Sequence, residues 1–281
     1  MVNFVGVNDI LRIVRTMGVE RFIAGLARYI EEDFRRWPQF EKIPRVASHS
    51  HEGVIELMPV SDGEAYSFKY VNGHPKNPTF GRQTVTAFGV LASVETGYPV
   101  FWSEMTVLTA LRTAATSALA ARHLARPDCK TMALIGLGAQ SEFQALAFMT
   151  MLGISKLRVH DVDAAATAKF VQNMQAYGFD LHIASSAQDA VEGADIITTV
   201  TADKTLATIL SDNMIGQGVH INAVGGDCPG KTELHADILK RGRVFVEFTE
   251  QTRIEGEIQQ MPADFPVTEL WEVINGTVPG R

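Results

Sequence analysis

Residues 131–141 read TMALIGLGAQS. An apolar, strand-like run enters Gly136-Leu-Gly138, and the chain then turns into a helix-like stretch. Glycine at 136 permits a tight turn, and glycine at 138 lets backbone approach a pyrophosphate at the helix N-terminus. Ser141 replaces the third glycine of the usual fingerprint and is still small enough for close helix–strand packing. A lone glycine pattern is often only a turn. Here the next apolar run, KLRVH, ends at Asp161, about the 20 residues on that a dinucleotide fingerprint requires. An acid there accepts hydrogen bonds from a ribose diol and repels a 2′-phosphate, so NAD is favoured over NADP.

Towards the C-terminus the rhythm continues. TMALIG, KLRVHD, LHIAS, ADIITTV, VHINAVG and RVFVE are short apolar runs, several separated by helix-like segments. That alternation predicts a parallel sheet with helices on its faces. Towards the N-terminus, 105–125 is apolar nearly all round, as in a buried helix. Residues 8–36 carry apolar side chains at helix spacing, broken at Gly18. From about 43 to 104, VIELMPV, YSFKYVN and TVTAFGVLASV alternate like strands, with turn signals at Ser61-Asp62-Gly63 and Glu95-Thr96-Gly97. The expected architecture is α/β: an α+β domain over 1–115 and a Rossmann-type parallel-sheet NAD-binding domain over 116–281.

The chain has 281 residues, 46% hydrophobic and 20% charged, with a net charge of −7. This is a globular composition, and the acidic balance argues against nucleic-acid or anionic-membrane partners. No uncharged apolar run reaches the roughly 18 residues of a transmembrane helix, and no signal peptide is apparent. Two cysteines, Cys129 and Cys228, cannot build a disulfide framework. A cytoplasmic protein is expected.

Several residues carry chemistry. Asp227, in GGDCPGK after the strand VHINAVG, lies where loops line the ligand crevice of an α/β sheet. It is the best acid/base candidate, although spacing alone leaves a turn-stabilising role equally open. Arg112 shares an apolar helical stripe with Leu108, Ala115 and Leu119, and a charge there calls for an anion: a substrate carboxylate, a cofactor phosphate or a structural acid. Alternation puts Lys69 opposite the aromatics of Tyr66-Ser-Phe-Lys-Tyr70. Arg45 precedes a strand-like run, and Glu56 shares a face with Val54 and Met58. For Lys69 and Arg45, simple solvent exposure stays open. His49 and His51 have no matching ligand cluster, so no metal is expected. Neither a nucleophile elbow nor a Walker loop occurs.

With these residues the chain resembles the ornithine cyclodeaminase/μ-crystallin family, most of all its bacterial ornithine cyclodeaminases. The resemblance rests on Arg45-Val-Ala-Ser-His-Ser, Ile55-Glu-Leu-Met-Pro, Phe68-Lys-Tyr-Val-Asn-Gly-His-Pro75, Thr109-Ala-Leu-Arg-Thr-Ala-Ala, the glycine loop, GGDCPGKTELHAD from Gly225 to Asp237, and QTRIEGEIQQ from Gln251 to Gln260. It implies a first domain for substrate binding and dimerisation, a second for NAD, and conversion of L-ornithine to L-proline and ammonia with NAD recycled. It implies Arg45, Lys69 and Arg112 around the substrate carboxylate and Asp227 as acid/base. Thr84, Arg112, Gly136, Gly138, Ala139, Gln140, Asp161, Thr201 and Lys231 are implied at the cofactor. Glu56 is the candidate for the δ-ammonium. Rival readings within the resemblance are a ketimine reductase or amino-acid dehydrogenase, a lysine cyclodeaminase, and a cofactor-holding crystallin-like protein. Family members continue past the point where this sequence stops, Gly276-Thr-Val-Pro-Gly-Arg281, with a segment that supplies a serine-containing stretch near the nicotinamide. The expectation is a chain without that returning segment.

Overall fold

A computed structural model describes residues 2–202 and 208–281. The chain divides into two compact units, Met1–Arg112 and Thr113–Arg281. The division falls within one long helix.

The first unit opens with β1 (Asn3–Val5), α1 (Val7–Met17) and α2 (Val19–Arg35). Gly18, at φ +88°, breaks the two helices apart, a conformation open to glycine without a Cβ penalty. On α2, Ile23, Ala27 and Phe34 recur at helix spacing and are all buried. Six further strands follow: β2 (Glu41–Lys42), β3 (Val46–His49), β4 (Val54–Ser61), β5 (Ala65–Gly73), β6 (Val85–Ser93) and β7 (Pro99–Glu104). They form one sheet in the order β1-β7-β6-β5-β4-β2, with β3 also on β4. The β4–β5 turn is shaped by Asp62, whose Oδ1 accepts from the backbone N–H groups of Glu64 and Ala65, and by Gly63 at φ +89°.

Register fixes which side chains share a face. Glu56 pairs with Ala47 and Val71, Val71 with Ala87, and Met58 with Lys69. Residues two apart on a strand share a face, so Arg45, Glu56 and Lys69 belong to the same side of the sheet. The opposite side carries Phe4, Phe68, Tyr70, Phe88 and Trp102. Tyr70 stacks on Phe88 with centroids 5.0 Å apart, and Trp102 lies 5.7 Å from Phe88. On this side Phe4, Val46, Ile55, Leu57 and Trp102 remain exposed.

Helix α3 (Thr106–Leu124) starts where one carboxylate oxygen of Glu104 accepts from the backbone N–H groups of Thr106 and Val107. Its apolar residues Leu111, Ala114, Ala115, Ala118 and Leu119 are buried, as its composition requires.

The second unit is built on β8 (Thr131–Ile135), β9 (Lys156–His160), β10 (Asp180–Ile183), β11 (Ile196–Thr199) and β12 (His220–Ala223). They run parallel in the order β10-β9-β8-β11-β12. All four residues of β11 and four of the five in β8 are buried, as in a sheet covered on both faces. Helices α4 (Ser141–Leu152) and α5 (Ala164–Met174) follow β8 and β9. The strand order reverses between β8 and β11, and in open α/β sheets ligands bind at such a switch point. The sixth apolar run, RVFVE, stands outside this sheet. Phe245–Val246 pairs instead with Thr268–Glu269. Of that run only Val246 is buried, so it lacks the double-sided apolar character that a central parallel strand needs. No helix among the described residues is long and apolar enough to cross a membrane.

Candidate functional site

In the second unit the glycine loop leaves β8 at the switch point. Gly136 adopts φ +94°, and a Cβ there would stand 2.9 Å from the backbone of Val200. Both the turn and the approach of the β11 end therefore demand glycine. At Gly138, by contrast, a Cβ would meet nothing within 4 Å. Gly138 and Ala139 are exposed at the start of α4, where unpaired N–H groups and the helix dipole favour an anion. The Oε1 atom of Gln140 is buried without a hydrogen-bond partner. Ser141, fully buried, donates to Gly138 O at 2.9 Å, so the replaced glycine becomes a brace for the loop.

Asp161 follows β9 directly. Its Oδ2 accepts from Leu137 N at 2.6 Å and its Oδ1 from Asp163 N at 2.8 Å. Each oxygen keeps a lone pair for a further donor such as a ribose hydroxyl. An open cradle at Gly138, a helix N-terminus and a fixed carboxylate beside them fit a dinucleotide without a 2′-phosphate.

Asp227 lies beyond β12, at the C-terminal edge of the same sheet. Its carboxylate is exposed, and its Oδ1 accepts from Lys231 Nζ at 3.0 Å. Lys231 is buried, and its Nζ also donates to Thr201 O at 2.7 Å. Thr201 and Lys231, both expected at the cofactor, thus spend these polar groups inside the protein.

Beneath them is a pair of buried acids that sequence reasoning missed. Glu233 accepts from Thr201 N and Thr201 Oγ1 on one oxygen, and from Thr199 Oγ1 and Gly225 N on the other. Its own N–H donates to Glu257 Oε1 at 2.8 Å, and Leu234 N donates to Glu257 Oε2. Burial pushes the Glu257 carboxyl up to about 7, helped by the nearby Glu233 and opposed by those two N–H bonds. The one sequence signal for Glu233 was a lone acid between threonine and leucine, which does not stand out. A Cβ at Gly225 would collide with the Glu233 carboxylate, so Gly225 is fixed by that contact.

In the first unit, Arg45 Nη1 stands 3.6 Å from Glu56 Oε1, and the Glu56 side chain is buried. Lys69, half-buried, shares their sheet face. Two cations and one carboxylate on a common face can receive the carboxylate and a distal ammonium of an amino acid. Thr84 precedes β6, its carbonyl bound by His74 N at 2.9 Å. Arg112, half-buried on α3, is the last residue of the unit.

The parallel order β10-β9-β8-β11-β12 and the glycine loop define a Rossmann-type dinucleotide-binding protein. A model of the ornithine cyclodeaminase/mu-crystallin family matches residues 7–281, and the chain belongs to that family. The ornithine cyclodeaminase of Brucella suis biovar 1 is 67% identical over 281 residues, covering 100% of this chain and 78% of its own length. Among solved structures, a lysine cyclodeaminase described as recognising L-lysine, L-ornithine and L-2,4-diaminobutyric acid superposes with a TM-score of 0.92 at 31% identity, over 98% of this chain and 82% of that one. An archaeal alanine dehydrogenase dimer with bound NAD gives a TM-score of 0.88 at 30% identity, over 100% of this chain and 87% of that one.

Proposed function

We propose that this chain is an ornithine cyclodeaminase, converting L-ornithine to L-proline and ammonia with NAD as the recycled cofactor. The observation that carries the reading is the exposed Asp227 carboxylate, held by a buried lysine at the sheet edge where an α/β protein places its ligands. The likeness to a cyclodeaminase over all 281 residues given supports the choice of reaction.

Held by the α4 N-terminus and Asp161, NAD would supply a hydride acceptor and donor at the substrate Cα, which would leave the reaction redox-neutral overall. The protein supplies aim and protons. Gly138, Ala139 and Gln140 at the α4 N-terminus hold the pyrophosphate, and Asp161 takes the ribose diol. Thr84 is assigned to the cofactor from the first unit, while Thr201 and Lys231 serve it from beneath the surface, by holding Asp227 in place. Arg45, Lys69 and Arg112 grip the substrate carboxylate, which sets Cα in place, while Glu56 receives the δ-ammonium. Asp227 accepts a proton from the attacking amine and donates one to the departing ammonia.

The exposed aromatic side of the first unit's sheet, with Phe4, Ile55, Leu57 and Trp102, supports its burial in a homodimer. Cys129 and Cys228 are buried and in no disulfide, which suits the cytoplasm.

The test is incubation with L-ornithine and substoichiometric NAD. Proline and ammonia in excess of the NAD supplied, without NADH build-up, is the expected result. NADH accumulating in step with product would replace the lyase with a dehydrogenase.

A further inference from the structure

We propose that Glu233 is a positioning residue for Asp227: its carboxylate ties the end of β11 to the end of β12 and so fixes where the Asp227 carboxylate stands. The inference rests on the reading of Asp227 as the acid/base.

The bonds form a closed path. Asp227 Oδ1 accepts from Lys231 Nζ at 3.0 Å, and Lys231 Nζ donates to Thr201 O at 2.7 Å. Thr201 N and Thr201 Oγ1 donate to Glu233 Oε1 at 2.8 and 2.6 Å. Gly225 N, two residues before Asp227, donates to Glu233 Oε2 at 2.8 Å, and Thr199 Oγ1 joins it at 2.6 Å. Glu233 is itself locked from behind. Its N–H is held by Glu257, and its carbonyl accepts from Ile209 N at 2.8 Å. A carboxylate so anchored has little freedom to follow its partners, so the partners must come to it.

The donor set explains why an acid is required. Each oxygen of Glu233 faces one backbone N–H, Thr201 N on Oε1 and Gly225 N on Oε2. A glutamine has one oxygen and one NH2 group, so in either flip the NH2 meets a backbone N–H. Glu233→Gln must give up one of these two bonds, and at Gly225 the N–H then falls back on its longer contact to Thr199 O at 3.2 Å. In a buried place the loss of such a bond is not replaced by water. Loosening either end moves Thr201 O or the 225–227 turn, and with it the Lys231–Asp227 pair.

The test is a double-mutant cycle on the full chain, at saturating L-ornithine and NAD, with a crystal structure of Glu233→Gln as a readout independent of turnover. Glu233→Gln is expected to lower kcat at least tenfold, to shift the pH profile of kcat, and to open the Lys231–Asp227 contact. In the Asp227→Asn background the same change is expected to add less than a twofold loss, because the group it positions has already been disabled. Losses that multiply, or a Glu233→Gln structure that keeps the contact at 3.0 Å, would overturn the proposal. If Glu233→Gln fails to fold, Thr201→Val decides. It removes one donor to Oε1, and a several-fold loss of kcat masked by Asp227→Asn is expected, whereas an unmasked or absent loss overturns the inference. Failure of the underlying reading looks different: Asp227→Asn would then turn over like the unmodified chain, while the structural readout would still report on Glu233.

Discussion

Lys231 Nζ lies 3.0 Å from Asp227 Oδ1, with the lysine side chain 2% and the aspartate side chain 63% exposed. The cation is sealed in the protein and the anion faces solvent. Burying a lysine is unfavourable unless its charge is paired and its donors are used. Here Thr201 O and Asp227 use two of the three. The pair therefore holds the aspartate by a rigid stem and leaves its second oxygen free to exchange protons.

Removing either member should separate chemistry from cofactor binding. Asp227→Asn is expected to lower kcat by roughly 10²–10⁴-fold, the usual effect of losing a general acid/base, with NAD affinity kept. Lys231→Met keeps the stem but leaves Thr201 O unpaired, for an expected stability loss of about 1–3 kcal/mol alongside reduced kcat. Steady-state kinetics and urea unfolding read both. Full turnover by Asp227→Asn would remove the aspartate from the chemistry.

The two loop glycines should respond oppositely to the same methyl group. At Gly136 a Cβ meets the Val200 backbone at 2.9 Å with φ at +94°, so Gly136→Ala should destabilise the fold by more than about 1–3 kcal/mol, the usual scale of backbone strain. At Gly138 a Cβ enters open space, so Gly138→Ala should leave the melting temperature unchanged and weaken NAD by intruding where the pyrophosphate approaches. Calorimetry and NAD titration check the pair. Equal melting losses in the two variants would contradict it.

Asp161 has a double duty, since its Oδ2 also holds Leu137 N in the glycine loop. Asp161→Ala should weaken NAD more than tenfold, roughly the 1.4 kcal/mol or more expected of a charged hydrogen bond. Asp161→Asn can still accept from one N–H and should lie between. An NAD affinity untouched by either change would exclude the ribose contact.

His220 and Glu257 should give stability opposite pH slopes. Burial holds His220 down to about 4 from 6.5, so between those values the unfolded chain binds a proton that the folded chain does not, and stability is lost as pH falls. Burial holds Glu257 up to about 7 from 4.5, so the folded chain binds the extra proton, and stability is lost as pH rises. From pH 4.5 to 6.5 the two slopes, up to about 1.4 kcal/mol per pH unit each, oppose one another. Relative to the unmodified chain, His220→Gln should become less stable with rising pH in that window, and Glu257→Gln more stable. Urea midpoints at three pH values measure this, and slopes identical to the unmodified chain would rule it out.

Much of the fold was legible because its signals are local. Period-two alternation placed β4, β5 and β6, helix spacing placed α1 and α2, and glycine at 136 and 138 marked the β8–α4 turn. RVFVE misled because a short apolar run carries no information about its partner, and only burial distinguishes a central strand from a peripheral one. The acids were hardest. Glu233 has partners at 199, 201 and 225, and nothing in its neighbours along the chain announces them.

The sequence by itself determined the α/β fold class with its glycine loop, and the family. Backbone propensity, side-chain period and motif spacing all act within a few turns of chain, so they can be read there. Tertiary structure alone decided which acid faces solvent and which is buried. It set Lys231 under Asp227, Glu233 between two strand ends, and Arg45 beside Glu56. Burial and hydrogen-bond partnership are set by residues distant in sequence, and they decide whether a carboxylate moves protons or holds backbone in place.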